Sequence, residues 1–326
     1  MLTPDYLQNC TERIQRIAQE YEDAIIAAIV TAIVLGGTPD IDPILYDFRR
    51  AGEKEIKRAI TEGARQSIDP TKMPNPTFLQ RLLNHVARTT LLRWRNMTAT
   101  VAYEGEREYV DAADRAYKAT LEGMQARDAA VRKEVNRLGS EGITFVENKR
   151  RDHVDVAMAR NLRTSIAQTA GDIVLQSAKE HGIDKVLVSA HLGARPTHEV
   201  WQGKVYSLTG KTSEYEDFYE ATGYGTIEGL CGVNCRHTFT AYVDGMKNPF
   251  EDINKAESRK RYAVEQKMRE MERNIRAQKR KLVAVQASGD TEATRDERHK
   301  LTAMNKEYRA FCAAHGMRPL DERLKV

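Results

Sequence analysis

The chain has 326 residues, 41% hydrophobic, 30% charged and only 7% aromatic, with a net charge of +4. That length allows two or three domains around a sizeable core, and few aromatics beside many Ala, Glu, Lys and Arg favour long helices over a β-sandwich. No N-terminal stretch has the charged start, apolar centre and small-residue cleavage site of a secretion signal, and the longest apolar run, Ala24 to Leu35, falls short of the ~20 residues that span a bilayer. Neither secretion nor a membrane partner is expected. In chain order, Ile14, Ile17, Tyr21, Ile25, Ala28 and Ala32 recur three or four apart, the apolar face of a helix that Gly36-Gly37 stops. Asp42-Pro43 and Asn75-Pro76 each pair a capping side chain with a first-turn proline, so helices are predicted from near Ile44 and Thr77. The second carries Leu82, Leu83, Val86, Leu91, Leu92 and Trp94; a long charged helical stretch follows from about Val101 to Leu138. Gly139, Ser140 and Gly142 mark a break.

After a further helix, about Val154 to Glu180, the pattern changes. Lys185 to Ser189 reads as a short buried strand, and Val205 to Leu208 and His237 to Val243 as two more. A small mixed α/β domain is expected there, at about residues 183 to 250. The chain then returns to helix. Val264, Met268, Met271, Ile275, Gln278, Leu282 and Val285 follow heptad spacing, Ser288-Gly289-Asp290 breaks it, and Leu301, Met304, Tyr308 and Phe311 resume it. An antiparallel helical hairpin is the economical reading. The predicted fold is therefore mainly α-helical with a small α/β domain of short strands and a C-terminal helical hairpin. By segment this gives a helical region over 1–150, a helix plus α/β domain over 151–250, and a basic hairpin over 251–326.

The unusual residues cluster between Ser189 and His237. The stretch runs His191-Leu192-Gly193-Ala194-Arg195-Pro196-Thr197-His198, then Trp201-Gln202-Gly203-Lys204, and ends in Gly229-Leu230-Cys231-Gly232-Val233-Asn234-Cys235-Arg236-His237. Four cysteines at positions 10, 231, 235 and 312 do not form a secreted disulfide framework, so synthesis in a reducing cytoplasm is expected. Thiolates and imidazoles are zinc's preferred ligands, and His198, Cys231, Cys235 and His237 supply the four that a tetrahedral site needs. The alternative is a metal-free core, because reduced cysteines in a glycine-rich turn also serve as small buried residues, and C-x3-C-x-H is not a common finger spacing. Arg195 and Arg236 suit phosphate oxygens, or equally an internal role pairing with Glu199 or with backbone carbonyls near the turns. Trp201 reads as a core anchor rather than a base-stacking platform.

This stretch resembles the phage minor capsid protein 2 family, related to the Mu F-like minor head proteins. The family pattern of a Ser-Ala-His strand end, Gly-Ala-Arg-Pro, Trp-Gln-Gly-Lys and Gly-Leu-Cys-Gly-x-Asn-Cys-Arg-His is matched nearly throughout, with His191 and His198 in place. Tyr308-Arg309-Ala310-Phe311 and Gly316-Met317-Arg318 resemble the family's ending. The resemblance implies a structural minor head protein of a tailed phage, present in few copies beside the portal protein inside the head. It implies a role in head assembly and in DNA packaging or ejection, and a location in the virion after assembly in the host cytoplasm. No catalytic residues are implied.

Charge adds one feature. Between Lys255 and Ala287 eleven Lys and Arg stand against four Glu, a surplus of +7 that leaves the remainder at −3. Arg269, Arg273, Arg276 and Arg280 on this helix are candidates for sequence-independent contact with genomic DNA or for docking on the portal and other head proteins. Two rival functions stay in view. One is a phage-encoded enzyme, a metal-dependent nuclease or an ADP-ribosyltransferase-like activity, for which Glu199, Glu228 and Asp244 are available without a known catalytic spacing. The other is a DNA-binding coiled-coil module, which leaves the motif from His191 to His237 without a purpose.

Overall fold

A computed structural model describes residues 2–121, 126–147, 150–251, 253–321 and 324. It is mainly helical with a few short strands, as the sequence predicts, and the strands pair antiparallel. In order the elements are α1 (Pro4–Asn9), α2 (Glu12–Leu35), α3 (Asp42–Ser67), α4 (Pro76–Leu121), α5 (Arg127–Glu141), β1 (Phe145–Glu147), β2 (Arg150–Asp152) and α6 (Val154–Glu180). Then come β3 (Lys185–Val188), α7 (Pro196–Glu199), β4 (Val205–Ser207), α8 (Phe218–Thr222), β5 (Phe239–Tyr242), α9 (Lys255–Ala287) and α10 (Thr291–Ala314). The two helices expected from Thr77 and from Val101 are in fact begun by one 46-residue helix, α4. Nothing between Pro76 and Leu121 breaks it. Its one glycine, Gly105, sits where an added Cβ would lie 2.7 Å from Ile25 Cγ2, so this glycine permits close packing on α2. The β1–β2 hairpin has no signal in the sequence, because three-residue strands carry too little alternation to be read.

The chain forms two compact units, each assembled from three separated stretches. The sheet unit comprises residues 1–11, 54–92 and 159–266. Its sheet has the order β4-β3-β5, antiparallel throughout, with Val186 opposite both Tyr206 and Ala241. Val186, Leu187 and Val188 are buried together with Tyr206, Phe218 and Phe239, which explains the continuous apolar run in the central strand. The N-terminal segment is tied into the same unit, with Arg163 donating to Leu7 O and Thr11 Oγ1 and Thr238 donating to Leu2 O.

The bundle unit comprises residues 12–53, 93–158 and 267–326. The heptad stripe of the predicted hairpin is its core seam: Met268, Ile275, Leu282 and Val285 are buried with Leu301, Tyr308 and Cys312. The turn closes as expected, since Asp290 caps α10 by accepting from Ala293 N. The polar heptad position, Gln278, donates to Glu297. This unit also encloses an ionic network. Glu22 meets His153 and Arg280, and Arg276 meets Asp155 at 3.3 Å. Burial, reinforced by the neighbouring Glu22 charge, pushes the Asp23 carboxyl up to about 7. A carboxyl raised in the fold contributes stability at acid pH and loses it as pH rises from the unfolded value, about 3.9, through about 7. Asp23→Asn is therefore expected to gain on the native chain by roughly 2–3 kcal/mol between pH 5 and pH 8. Thermal melts at the two pH values check this; an equal offset at both contradicts it.

Candidate metal centre

The centre is built at one end of the three-stranded sheet, where β3 leads out and β5 begins. Past β3 the pairing continues, with Ser189 N donating to Thr238 O and Thr238 N to Ser189 Oγ, so residues 189–191 and 235–238 run side by side. Pro196 fixes the first turn of α7, which places His198 in the interior. The Glu228–Cys235 loop folds tightly back. An added Cβ on Gly229 would lie 2.0 Å from Gly223 O and one on Gly232 2.4 Å from Ile227 O, so only glycine fits. Cys231 and Asn234 both take left-handed backbone conformations, at φ 58° and 57°. Asparagine tolerates this region; cysteine adopts it at a cost on the order of 1 kcal/mol or more that the loop must offset.

Three of the four expected ligands converge. Cys235 Sγ lies 3.7 Å from His198 Nδ1 and 3.7 Å from His237 Nδ1. Among the described residues this is the group whose ligand atoms all lie within 4.8 Å of one another, and all three residues are buried. Cys231, also buried, is turned aside, its thiol donating to His237 O at 3.7 Å. The imidazole tautomers follow from their partners. His198 Nε2 faces Glu228 O at 2.9 Å and His237 Nε2 faces Gln202 Oε1 at 3.0 Å. Gln202 Oε1 also accepts from His191 N, which fixes it as the oxygen. Both Nε2 atoms therefore carry hydrogen, and both Nδ1 lone pairs point at one sulfur. Burial drives the His198 ring down to about 4 and the His237 ring well below its ordinary range, and it pushes both thiols up.

The consequence is a shortage of donors. Two inward lone pairs share one Cys235 thiol proton, so without a cation one buried nitrogen lacks a donor. Zinc bonds of about 2.3 Å to sulfur and 2.0 Å to nitrogen at the tetrahedral angle separate their ligands by roughly 3.6 Å, close to the observed spacing. The carbonyl partners on both Nε2 atoms are the outer contacts that orient metal-binding imidazoles. The donor set thus fits a borderline-soft cation.

The remaining motif residues support this centre. His191 stacks on His237 with ring centroids 4.4 Å apart, and Trp201 packs against both His198 and His237 at 4.5 and 4.8 Å. Arg195 donates to Val233 O. Arg236 bonds Gly193 O, Glu265 and Gln8, joining the motif to α9 and to the N-terminal segment. Both arginines bond the chain's own groups, the internal role that the sequence also allows. Glu199 pairs with Arg259 instead of Arg195. On α9, Arg269 and Arg273 are exposed. Arg276 and Arg280 are not: they lie inside the bundle unit against Asp155 and Glu22, so neither is available to DNA or a partner. Sequence reasoning missed Gln202 and the Glu228 carbonyl. Gln202 lies within the motif but carries no ligand chemistry of its own, and a backbone carbonyl leaves no sequence signal.

Comparison with known proteins gives a consistent result. Residues 40–313 match the family described as phage minor capsid protein 2. A "Structural protein" of Lactococcus phage LL-H is 29% identical over 136 residues, which is 40% of this chain and 36% of that protein. The match thus spans about a third of the relative's length. No solved structure matches.

Proposed function

The chain belongs to the phage minor capsid protein 2 family, and we propose that it is a structural component of a tailed-phage head, seated beside the portal on the inner side. There it assists head assembly and the packaging or ejection of DNA. The observation that carries this reading is the extent of the family match, which takes in the metal-centre motif, α4 and the whole basic helix α9. Its partners are the portal protein and other head proteins. Genomic DNA is met without sequence preference through exposed Arg269 and Arg273. No helix among the described residues is long and apolar enough to cross a membrane.

Zinc is the proposed occupant of the His198, Cys235 and His237 cluster, with Cys231 supplying the fourth ligand after a side-chain rotation. When bound it supplies structural cross-linking. A hydrolytic metal keeps a position open to substrate, whereas these ligands are all buried, which favours a closed structural site over a nuclease. The test of the virion role is quantitative mass spectrometry of purified proheads and mature particles. The protein is expected in both at a small fraction of the major capsid subunit. Its absence from both, despite expression in infected cells, overturns the reading.

A further inference from the structure

Helix α4 carries two apolar faces, and the fold uses one. Val101, Ala102, Ala112 and Ala116 are buried in the bundle unit, while Tyr103, Val110 and Tyr117 on the other side are 62%, 60% and 63% exposed. Their spacing of seven places them in one line along the helix, and Leu121, 67% exposed, extends it. Scattered surface apolar residues are ordinary; a heptad row of large ones on a charged helix marks an interaction face. Ala99, Glu106, Ala113 and Thr120 flank the row on one side, and Thr100, Arg107 and Asp114 on the other.

We propose that this face docks a second copy of the chain, α4 against α4, running antiparallel. The face is complementary to itself in that direction, which is what a two-fold interface requires. Two ion pairs lie along this side of each copy, Glu104 with Arg107 at 2.8 Å and Asp114 with Lys118 at 2.6 Å, with exposed Arg107 and Asp114 one heptad apart. Reversing the second helix brings the Glu104–Arg107 pair of each copy against the Asp114–Lys118 pair of the other. Each such group is then a four-charge cluster of alternating sign. In the same register Val110 packs over Ala113 and Tyr103 over Thr120, large side chains on small ones. Tyr117 meets Glu106, whose carboxylate accepts from the phenol. Asp111 approaches its own counterpart, an exposed like-charge contact of a few tenths of a kcal/mol in isolated helices. A parallel pair gives the Asp114–Lys118 pair no opposite charges from the second copy, and it aligns the helix dipoles unfavourably. The contact from Ala99 to Leu121 is about 34 Å long at 1.5 Å per residue, a modest interface of the kind that gives dissociation constants on the order of micromolar.

The experiment is sedimentation equilibrium of the full chain across the micromolar range, where a reversible dimer is expected. All the altered side chains are exposed, and circular dichroism verifies that each variant keeps its fold. Val110→Glu is expected to weaken the dimer at least ~10-fold, and Arg107→Asp or Asp114→Arg alone by roughly 5–10-fold. The double variant Arg107→Asp/Asp114→Arg should recover most of the affinity, because the opposed charges exchange. An Arg107→Cys preparation mixed with an Asp114→Cys preparation should cross-link; the native cysteines are buried and stay out of the reaction. A chain that is monomeric throughout, a dimer indifferent to Val110→Glu, or a double reversal no better than the singles overturns the proposal. If the chain is monomeric while Val110→Glu prevents incorporation into heads, the face belongs to another head protein and self-association fails. Neither the virion role nor the metal centre enters this inference, and each survives its failure.

Discussion

Replacing Glu22 with alanine is expected to cost the bundle unit about 3–5 kcal/mol, the penalty typical of removing one partner from a buried ion pair. Glu22 is fully buried, and one oxygen, Oε1, gathers three neighbours. It accepts from Ile143 N at 2.8 Å, meets His153 Nδ1 at 2.9 Å and lies 3.8 Å from Arg280 Nε. Burial alone would push this carboxyl up. The bonds from His153 and Ile143 and the Arg280 charge outweigh burial and hold it below its ordinary value. A carboxyl lowered in the fold contributes stability above its unfolded value, about 4.3, and that contribution is lost as pH falls through the folded value. Alanine leaves a buried guanidinium without its carboxylate and an amide without its acceptor. Glu22→Gln keeps the oxygen for Ile143 but not the charge, so an intermediate loss is expected. Glu20→Ala, on the exposed side of α2, should stay within about 0.5 kcal/mol. Urea denaturation at pH 7 orders the three. A Glu22→Ala loss below about 1 kcal/mol would show that the network adds little.

That network also marks the limit of what periodicity reveals. The apolar stripes of α2 and of the α9–α10 hairpin are legible because burial of a helix face imposes a three-four repeat on one stretch of chain. Strand β3 is legible because a central strand must be apolar on both faces. Arg276 and Arg280 mislead for the complementary reason. A run of like charges on a helix reads as a solvated face, but Asp155 and Glu22 neutralise them from distant segments that no local pattern connects. The candidate site divides in the same way. His198, Cys235 and His237 declare their chemistry as residue types, so they can be picked out before any fold is known. The orientation of that chemistry cannot: it depends on Gln202, on a carbonyl at Glu228, and on a left-handed Cys231 that turns its thiol away from the other three.

The metal centre gives the other large expected effect. Protein purified without added metal or chelator should carry one equivalent of zinc by elemental analysis. A strong chelator should lower the melting temperature of the sheet unit, because apparent binding energies of structural zinc run to roughly 10–16 kcal/mol and are coupled to folding. Cys235→Ser and His237→Ala should each abolish stoichiometric metal, since each removes one of three converging ligands. Cys231→Ser tests the proposed rotation. If Cys231 completes the tetrahedron, zinc is lost with it; if it only donates to His237 O, zinc is retained and the domain loses little beyond one weak hydrogen bond. Cys10→Ser and Cys312→Ser control for burying a hydroxyl in place of a thiol, and both should keep full zinc. The metal-free alternative makes opposite predictions at every step. It expects no zinc, no response to chelator, and a Cys235→Ser variant that folds with its hydroxyl donating to one of the two imidazoles. Zinc absent and melting unchanged in chelator would leave Cys235 as a buried thiol between two neutral rings, and the second Nδ1 would then need a donor from buried water.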